Sequence, residues 1–277
     1  MKRGRRKISI IKEIRNNNKK KIWINEDWKT EKQKNMVIDP TKLISDGINI
    51  YDKRNLLVYL STDNIPSLKT DIVIKMFRLS RIYDRLRFRI VSSKAERSLK
   101  MALALKKAGI NTPTPIALIE KRGFTNKIIY SYFITEYIPH EYTLLDILKD
   151  DEHPLRNNVK VFIPFIAKDI RKMHDAGIIH NDLHAGNILI NNLEKPSFYY
   201  IDLNRGRIKK KLSIKKRMKD LARLKLKEDE QRLFMKHYSP DMYQKLIELM
   251  RQARNRRKRI LSFKRNLKKK IRNKKNK

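Results

Sequence analysis

Short apolar runs separated by turn-forming residues dominate the first half of the chain, and their lengths suit strands. Lys42-Leu-Ile44, Leu56-Leu-Val-Tyr-Leu60 and Asp71-Ile-Val-Ile-Lys-Met-Phe77 are predicted as strands, with breaks at Ser45-Asp-Gly47 and Asp63-Asn-Ile-Pro66. A helix is expected from Ser93 to about Lys107, stopped by Gly109 and by Thr112-Pro-Thr-Pro115. Two further strands follow, Pro115-Ile-Ala-Leu-Ile119 and Ile128-Ile-Tyr-Ser-Tyr-Phe-Ile134. The order β-β-β-α-β-β describes a small antiparallel sheet carrying one helix.

Thr135-Glu-Tyr-Ile-Pro139 marks a change of character, and the remainder is mostly helical in pattern. Ile163, Ala167, Ile170 and His174 lie on one helical face within Val159 to Ala176, and Gly177 is placed to end that helix. Short runs at Ile178-Ile179, Ile188-Leu-Ile190 and Phe198-Tyr-Tyr-Ile201 interrupt the helical part. The expected division is a basic arm over 1–34, a sheet domain over 35–137, a mainly helical domain over 138–250 and a basic tail over 251–277.

Charge changes this picture. Of 277 residues, 68 are Lys or Arg and 29 are Asp or Glu, a net charge of +39 that calls for an anionic partner: nucleic acid, a membrane surface or an acidic substrate. The last 27 residues are almost entirely basic, yet Ile260, Phe263, Leu267 and Ile271 form a narrow apolar stripe along them. Such a helix suits an anionic membrane surface or a nucleic-acid backbone; the plainer alternative is a solvated terminal helix with its stripe packed on the body. Absence of cysteine excludes disulfide scaffolds, thiolate metal sites and cysteine nucleophiles. The basic start, Met1-Lys-Arg-Gly-Arg-Arg-Lys7, is followed by too short an apolar run for a signal peptide, and no stretch reaches the roughly 18–20 apolar residues of a membrane span. A cytoplasmic protein with at most peripheral membrane contact is expected.

The candidate chemistry centres on His180-Asn-Asp-Leu-His-Ala-Gly-Asn187 and the later Ile-Asp202. Asp182 can orient or deprotonate a hydroxyl, while Asn187 and Asp202 offer hard oxygen ligands to Mg²⁺. A polar loop with Asp and Asn in turn positions is the bland alternative. Lys75, on an otherwise apolar strand, can reach the inner phosphates of a nucleotide, or its head can simply reach solvent. Glu96 shares a helix face with Leu99 and Leu103 and calls for a cation. Lys75 is its expected partner, ahead of a capping box with Ser93. Ser45-Asp-Gly47 is a weak candidate for a phosphate-covering turn, and location alone puts Glu136 and Tyr137 at a hinge that meets an adenine edge. His180 is expected to be buried and structural. His184 either faces the transferred phosphoryl group or orients the loop. Asp220 is expected to hold the catalytic loop, a surface salt bridge being the alternative.

These residues resemble the protein-kinase-like superfamily, whose Lys, Glu, H-x-D-x-x-x-x-N and metal-binding Asp elements recur in family order. The chain is more closely similar to the lipopolysaccharide core kinases, the heptose and Kdo kinases. Ser92-Ser-Lys-Ala-Glu-Arg-Ser98 with Asn111-Thr-Pro-Thr-Pro-Ile116, Phe198-Tyr-Tyr-Ile-Asp-Leu-Asn-Arg-Gly-Arg207 and Met218-Lys-Asp-Leu-Ala-Arg-Leu224 carry that likeness. The resemblance implies an α+β, bilobal protein-kinase-like fold. It implies ATP and Mg²⁺ as cofactors, with Lys75 on the phosphates, Glu96 orienting it, Asp182 as base, and Asn187 and Asp202 as metal ligands. The pattern departs at Asp202, followed by Leu-Asn rather than Phe-Gly, in the lack of an A-P-E-like segment, and in a glycine-poor first loop.

The leading expectation is a kinase acting on a sugar hydroxyl of the lipopolysaccharide inner core, an anionic glycolipid, with basic termini on the inner-membrane surface. The alternatives are an atypical RIO-like or tRNA-modification-type kinase bound to RNA, and a non-catalytic kinase-like scaffold.

Overall fold

The computed structural model describes residues 11–15, 18–28 and 30–275, with side chains over 20–28 and 30–267. It divides into two compact units: residues 1–106, 112–139 and 202–205 form one, and residues 107–111, 140–201 and 206–277 the other.

The first unit is built on strands β1 (Ile11–Arg15), β2 (Asn18–Ile24), β3 (Ile48–Asp52), β4 (Asn55–Leu60), β5 (Ile72–Phe77), β6 (Pro115–Arg122) and β7 (Ile128–Glu136). They form one antiparallel sheet in the order β1-β2-β6-β7-β5-β4-β3. Helices α1 (Glu31–Ile38), α2 (Pro40–Asp46), α3 (Ile82–Ile90) and α4 (Lys94–Lys107) complete the unit. Strand alternation places Leu56, Val58, Leu60, Ile72 and Ile74 in a core closed by Trp28, by Val37 of α1 and by Leu43 of α2. Helix α4 buries a stripe of Ala95, Leu99, Ala102 and Leu105.

Two expectations are corrected here. Lys42-Leu-Ile44 is not a strand but the middle of α2. Asp39 caps that helix by accepting from Thr41 N–H at 3.2 Å, and Pro40 stands at its first position, so the Asp-Pro start signal outweighs three apolar-flanked residues. Ser45-Asp-Gly47 therefore ends a helix instead of linking two strands, and Lys53-Arg54 makes the β3–β4 turn. Gly47 has a packing reason: an added Cβ would lie 2.2 Å from Val58 Cγ1. The stretch expected as a basic arm also differs, since β1 and β2 pair as a hairpin and β2 pairs along β6 from Lys19↔Arg122 to Ile24↔Ala117. Residues 1–10 of that stretch lie outside the described residues.

The second unit contains β8 (Tyr142–Thr143), α5 (Leu144–Lys149), α6 (Val159–Asp175), β9 (Ile178–Ile179), β10 (Ile188–Asn191), β11 (Ser197–Tyr200), β12 (Arg207–Ile208), α7 (Ile214–Leu221), α8 (Glu228–Tyr238) and α9 (Tyr243–Lys275). Its core lies among α6, α7, α8 and the start of α9, with Ile163, Ile170, Leu221, Phe234, Leu246 and Met250 buried. The apolar face predicted for Val159–Ala176 is the buried face of α6. Gly177 follows at φ 76, where a side chain would strike the Lys209 carbonyl, so the predicted stop matches a left-handed position. An antiparallel sheet of the first unit and a mainly helical second unit make the α+β class expected from the pattern.

Candidate active site

The 180–187 loop belongs to the second unit and runs between β9 and the one-turn 3₁₀ helix Ala185–Asn187. Its backbone is gripped by Asp220, fully buried at the end of α7. The two carboxylate oxygens accept from His180 N–H at 2.8 Å and from Asn181 N–H at 2.7 Å, with His174 Nε2 3.4 Å from one of them. The expectation that Asp220 holds this loop is matched. Asn181 sits at φ 61, a left-handed position that asparagine tolerates better than most residues.

His180 is buried, and its ring is spoken for on both sides. Nε2 donates to the Ile201 carbonyl at 2.9 Å, and Nδ1 accepts from Asp182 N–H at 3.3 Å, which fixes a neutral tautomer. It is structural, as expected. The same ring anchors the residue preceding Asp202 in the chain, and Ile201 also donates its N–H to the Asn187 carbonyl at 3.0 Å.

Asp182 carries the acid that the sequence singled out. Its Oδ1 accepts from Arg223 at 2.8 Å, and both side chains are mostly shielded from water. Asn187 Nδ2 donates to the Asp182 carbonyl at 2.9 Å, so the amide is oriented with its nitrogen committed and its Oδ1 left as the acceptor. His184 donates its N–H to the Asp182 carbonyl and accepts from Asn187 N–H, both at 2.9 Å, while its ring lies against Gly186. The ring makes no hydrogen bond among the described residues.

Lys75, Glu96 and Asp202 belong to the first unit. Lys75 Nζ lies 2.6 Å from Asp202 Oδ1 and over the Phe77 ring. Asn204 Nδ2 also donates to that Asp202 oxygen. Asp202 adopts φ 56, so its backbone is turned into a conformation unusual for a residue with a Cβ. The expected Lys75–Glu96 pair is not formed. Glu96 binds Lys21 at 2.7 Å and Lys100 at 2.6 Å, and its N–H donates to Ser93 Oγ at 3.0 Å. Burial pushes the Glu96 carboxyl up, but hydrogen bonds and charge from Lys100 and Lys21 outweigh it and hold it at about 2.

Glu136 and Tyr137 close β7. Glu136 N–H donates to Thr114 O and Tyr137 N–H to Asp71 O, both at 2.9 Å. Those two donors are used within the unit, so an adenine edge here would have to meet other backbone atoms. The Tyr137 ring packs edge-on against Tyr59, whose hydroxyl donates to Asp71.

Reasoning from sequence assigned no role to Arg223 or Lys21. Arg223 lay within a stretch recognised for its family likeness, and only the fold reveals that the turn after α7 brings it to Asp182. Lys21 lay in the stretch taken for an arm, and strand pairing with β6 is what carries it to Glu96.

A model of the lipopolysaccharide kinase (Kdo/WaaP) family matches residues 74–249, a span that contains Lys75, Glu96, Glu136, Tyr137, Asp182, His184, Asn187 and Asp202. The chain belongs to this family. Within the Kdo/WaaP family it is similar to the 3-deoxy-D-manno-octulosonic acid kinase of Vibrio cholerae serotype O1, at 38% identity over 92 residues, 33% of this chain and 36% of the relative. The enzyme of the same name from Vibrio parahaemolyticus serotype O3:K6 is 32% identical over 116 residues, 42% of this chain and 44% of the relative. The matched part is thus under half the length of either curated relative. A solved structure, WaaP in complex with acyl carrier protein, superposes with a TM-score of 0.57 at 20% identity, over 78% of this chain and 92% of that one. That likeness is one of fold.

Proposed function

We propose that this Kdo/WaaP family member transfers the terminal phosphoryl group of ATP to a sugar hydroxyl of the lipopolysaccharide inner core. Family membership and the names of the two curated relatives support this reading, and they favour 3-deoxy-D-manno-octulosonic acid over heptose as the acceptor. The observation that carries it is the locked 180–187 loop. Asp220 and His180 fix its backbone from the buried side, and Asn187 is oriented by the loop's own carbonyl.

In this reading Asp182 accepts the proton of the attacking hydroxyl as its oxygen bonds to the γ-phosphorus and the bond to the β–γ bridging oxygen breaks, releasing ADP. Lys75 takes the inner phosphates, and its charge is paired with Asp202. Glu96 is a structural acid tied to Lys21 and Lys100 and does not pair with Lys75. Arg223 is a positioning residue for Asp182. His184 neutralises charge on the transferred phosphoryl group. Asn187 Oδ1 and the Asp202 carboxylate are the hard oxygen donors that Mg²⁺ prefers. Each would serve as a ligand to an ion that also keeps waters and phosphate oxygens. Bound Mg²⁺ would supply charge neutralisation on the phosphates.

The acceptor is acidic, which gives the net charge of +39 a purpose, and we place the protein at the cytoplasmic face of the inner membrane. Among the described residues no helix is long and apolar enough to cross a membrane. Of the C-terminal stripe, Ile260 and Leu267 are exposed and Phe263 is 69% exposed, while the side chain of Ile271 lies outside the described residues. This supports a surface-binding role for α9 over the solvated-and-packed alternative. No observation favours the RNA-bound reading.

The test is incubation with ATP, Mg²⁺ and inner-core acceptors bearing 3-deoxy-D-manno-octulosonic acid, read as an added phosphate by mass spectrometry. Asp182→Asn should lower transfer by about 10²–10⁴-fold while leaving the melting temperature close to that of the parent. Full transfer by that variant would remove Asp182 from the role of base.

A further inference from the structure

Helix α3 departs from the rule that a helix in a folded domain buries its apolar side. Its single buried apolar side chain is Phe88, flanked by Arg87, Lys94 and Arg97. Ile82, Leu86 and Ile90 follow one another at steps of four, with Tyr83 three residues before Leu86, so all four share one face. That face points to solvent: Ile82 is 73% exposed, Tyr83 70% and Ile90 91%.

The tip of the β6–β7 hairpin extends the same surface. Arg122 donates to the Phe88 carbonyl at 2.7 Å and Asn126 donates to the Arg89 carbonyl, which ties the hairpin to the end of α3. Phe124, between them in sequence, is 87% exposed. The charges are as ordered as the apolar residues. Arg81, Arg85 and Arg87 are exposed around the apolar face, and the one acid of the helix, Asp84, lies on the other side near Lys94.

We infer that α3 and the β6–β7 tip form a docking surface for an anionic lipid bilayer. Side chains exposed to this degree stand out from the surface and do not line a groove, so a protein partner would need pockets cut to receive them. A bilayer accepts protruding Ile, Leu, Tyr and Phe side chains without complementary shape, and arginines at their rim meet lipid phosphates. The surface lies in the first unit and is distinct from the basic C-terminal helix. It does not depend on which sugar is phosphorylated.

The test is flotation of the full chain with phosphatidylcholine vesicles, with and without phosphatidylglycerol, in the absence of ATP and acceptor. Binding should require the anionic lipid. Leu86→Glu combined with Ile90→Glu should weaken it by roughly tenfold or more, with an unchanged circular dichroism spectrum. Phe124→Ser, on the hairpin tip, tests the same surface without touching α3 and should weaken binding by several-fold. Three outcomes would overturn the inference: no vesicle binding by the parent, parent-like binding by the double and Phe124 variants, or loss of binding only on Phe263→Glu in the C-terminal helix. Because phosphotransfer is not the readout, failure here leaves the kinase reading standing, and failure of that reading leaves the vesicle result interpretable.

Discussion

Lys75 and Glu96 show how far single residues could be read. Both types were identified, and Glu96 was rightly expected to need a cation, but the choice of cation depended on which strands neighbour each other. Nothing in the local pattern reports that β2 lies beside β6, so Lys21 was invisible as a partner, and Lys75 was left to meet Asp202. Asp169 illustrates a residue with no sequence signal at all. It faces the fully buried Tyr200 hydroxyl at 3.5 Å, and burial pushes its carboxyl up to about 6, against the smaller opposing pull of Lys172 and Tyr200. In the unfolded chain this carboxyl ionises near 3.8, so between that value and about 6 the folded state keeps a proton that the unfolded state has lost. Stability contributed by the protonated form is therefore present below the lower value and lost as pH rises through the upper one. Glu96, with its pKa held at about 2, is ionised in both states across most of this window and does not mask the effect. Asp169→Asn should accordingly match the parent near pH 4 and exceed it at pH 7.5, by about 1–2 kcal/mol since the carboxylate keeps some contact with water. Urea unfolding at the two pH values measures this, and an equal difference at both would rule out the buried carboxylate as its source.

At the scale of elements, the strands with alternating burial and the helix with a continuous apolar face were legible, as β4, β5 and α6 show. What failed to show was structure whose cause is pairing or capping. The β1–β2 hairpin is rich in lysine and asparagine and is held by the edge of β6, while α2 begins with a cap that a three-residue apolar reading overlooks. The turn that ends α7 belongs to the same class. Asp220 and Arg223 stand three residues apart, one gripping the backbone of the 180–187 loop and the other the carboxylate of Asp182, so this turn sets both the path and the aim of the loop. Asp220→Asn leaves one oxygen for two N–H donors and turns an amide nitrogen toward the other. That loss should cost about 1–3 kcal/mol of stability. In the proposed reaction it should lower kcat with little change in KM for ATP, because Lys75 and its strand are untouched. Chemical denaturation and steady-state kinetics together check this. A variant with parent-like stability and turnover would mean that the loop is held by other contacts.

For the whole molecule, charge is the property that sequence reports best and structure explains least, because 68 Lys and Arg face only 29 Asp and Glu. The last 27 residues hold 15 Lys and Arg and no acid, and α9, packed at Leu246, Met250 and Arg254, continues to Lys275. Like charges three and four residues apart repel along a helix, and a net charge of +39 also opposes the compact state as a whole. Both costs are electrostatic and fall with screening, since the Debye length shortens from about 13 Å near 0.05 M salt to about 4 Å near 0.5 M. Attraction to an anionic acceptor or bilayer is weakened by the same screening. Stability and anion binding should therefore move in opposite directions as salt is added: the melting temperature rises by several degrees, helical circular dichroism increases, and vesicle binding declines. Hydrophobic association alone would strengthen both with salt. A melting temperature that is flat or falls between those two salt concentrations would show that self-repulsion is not a significant term, and that the cationic surface carries no cost needing relief by a bound anion.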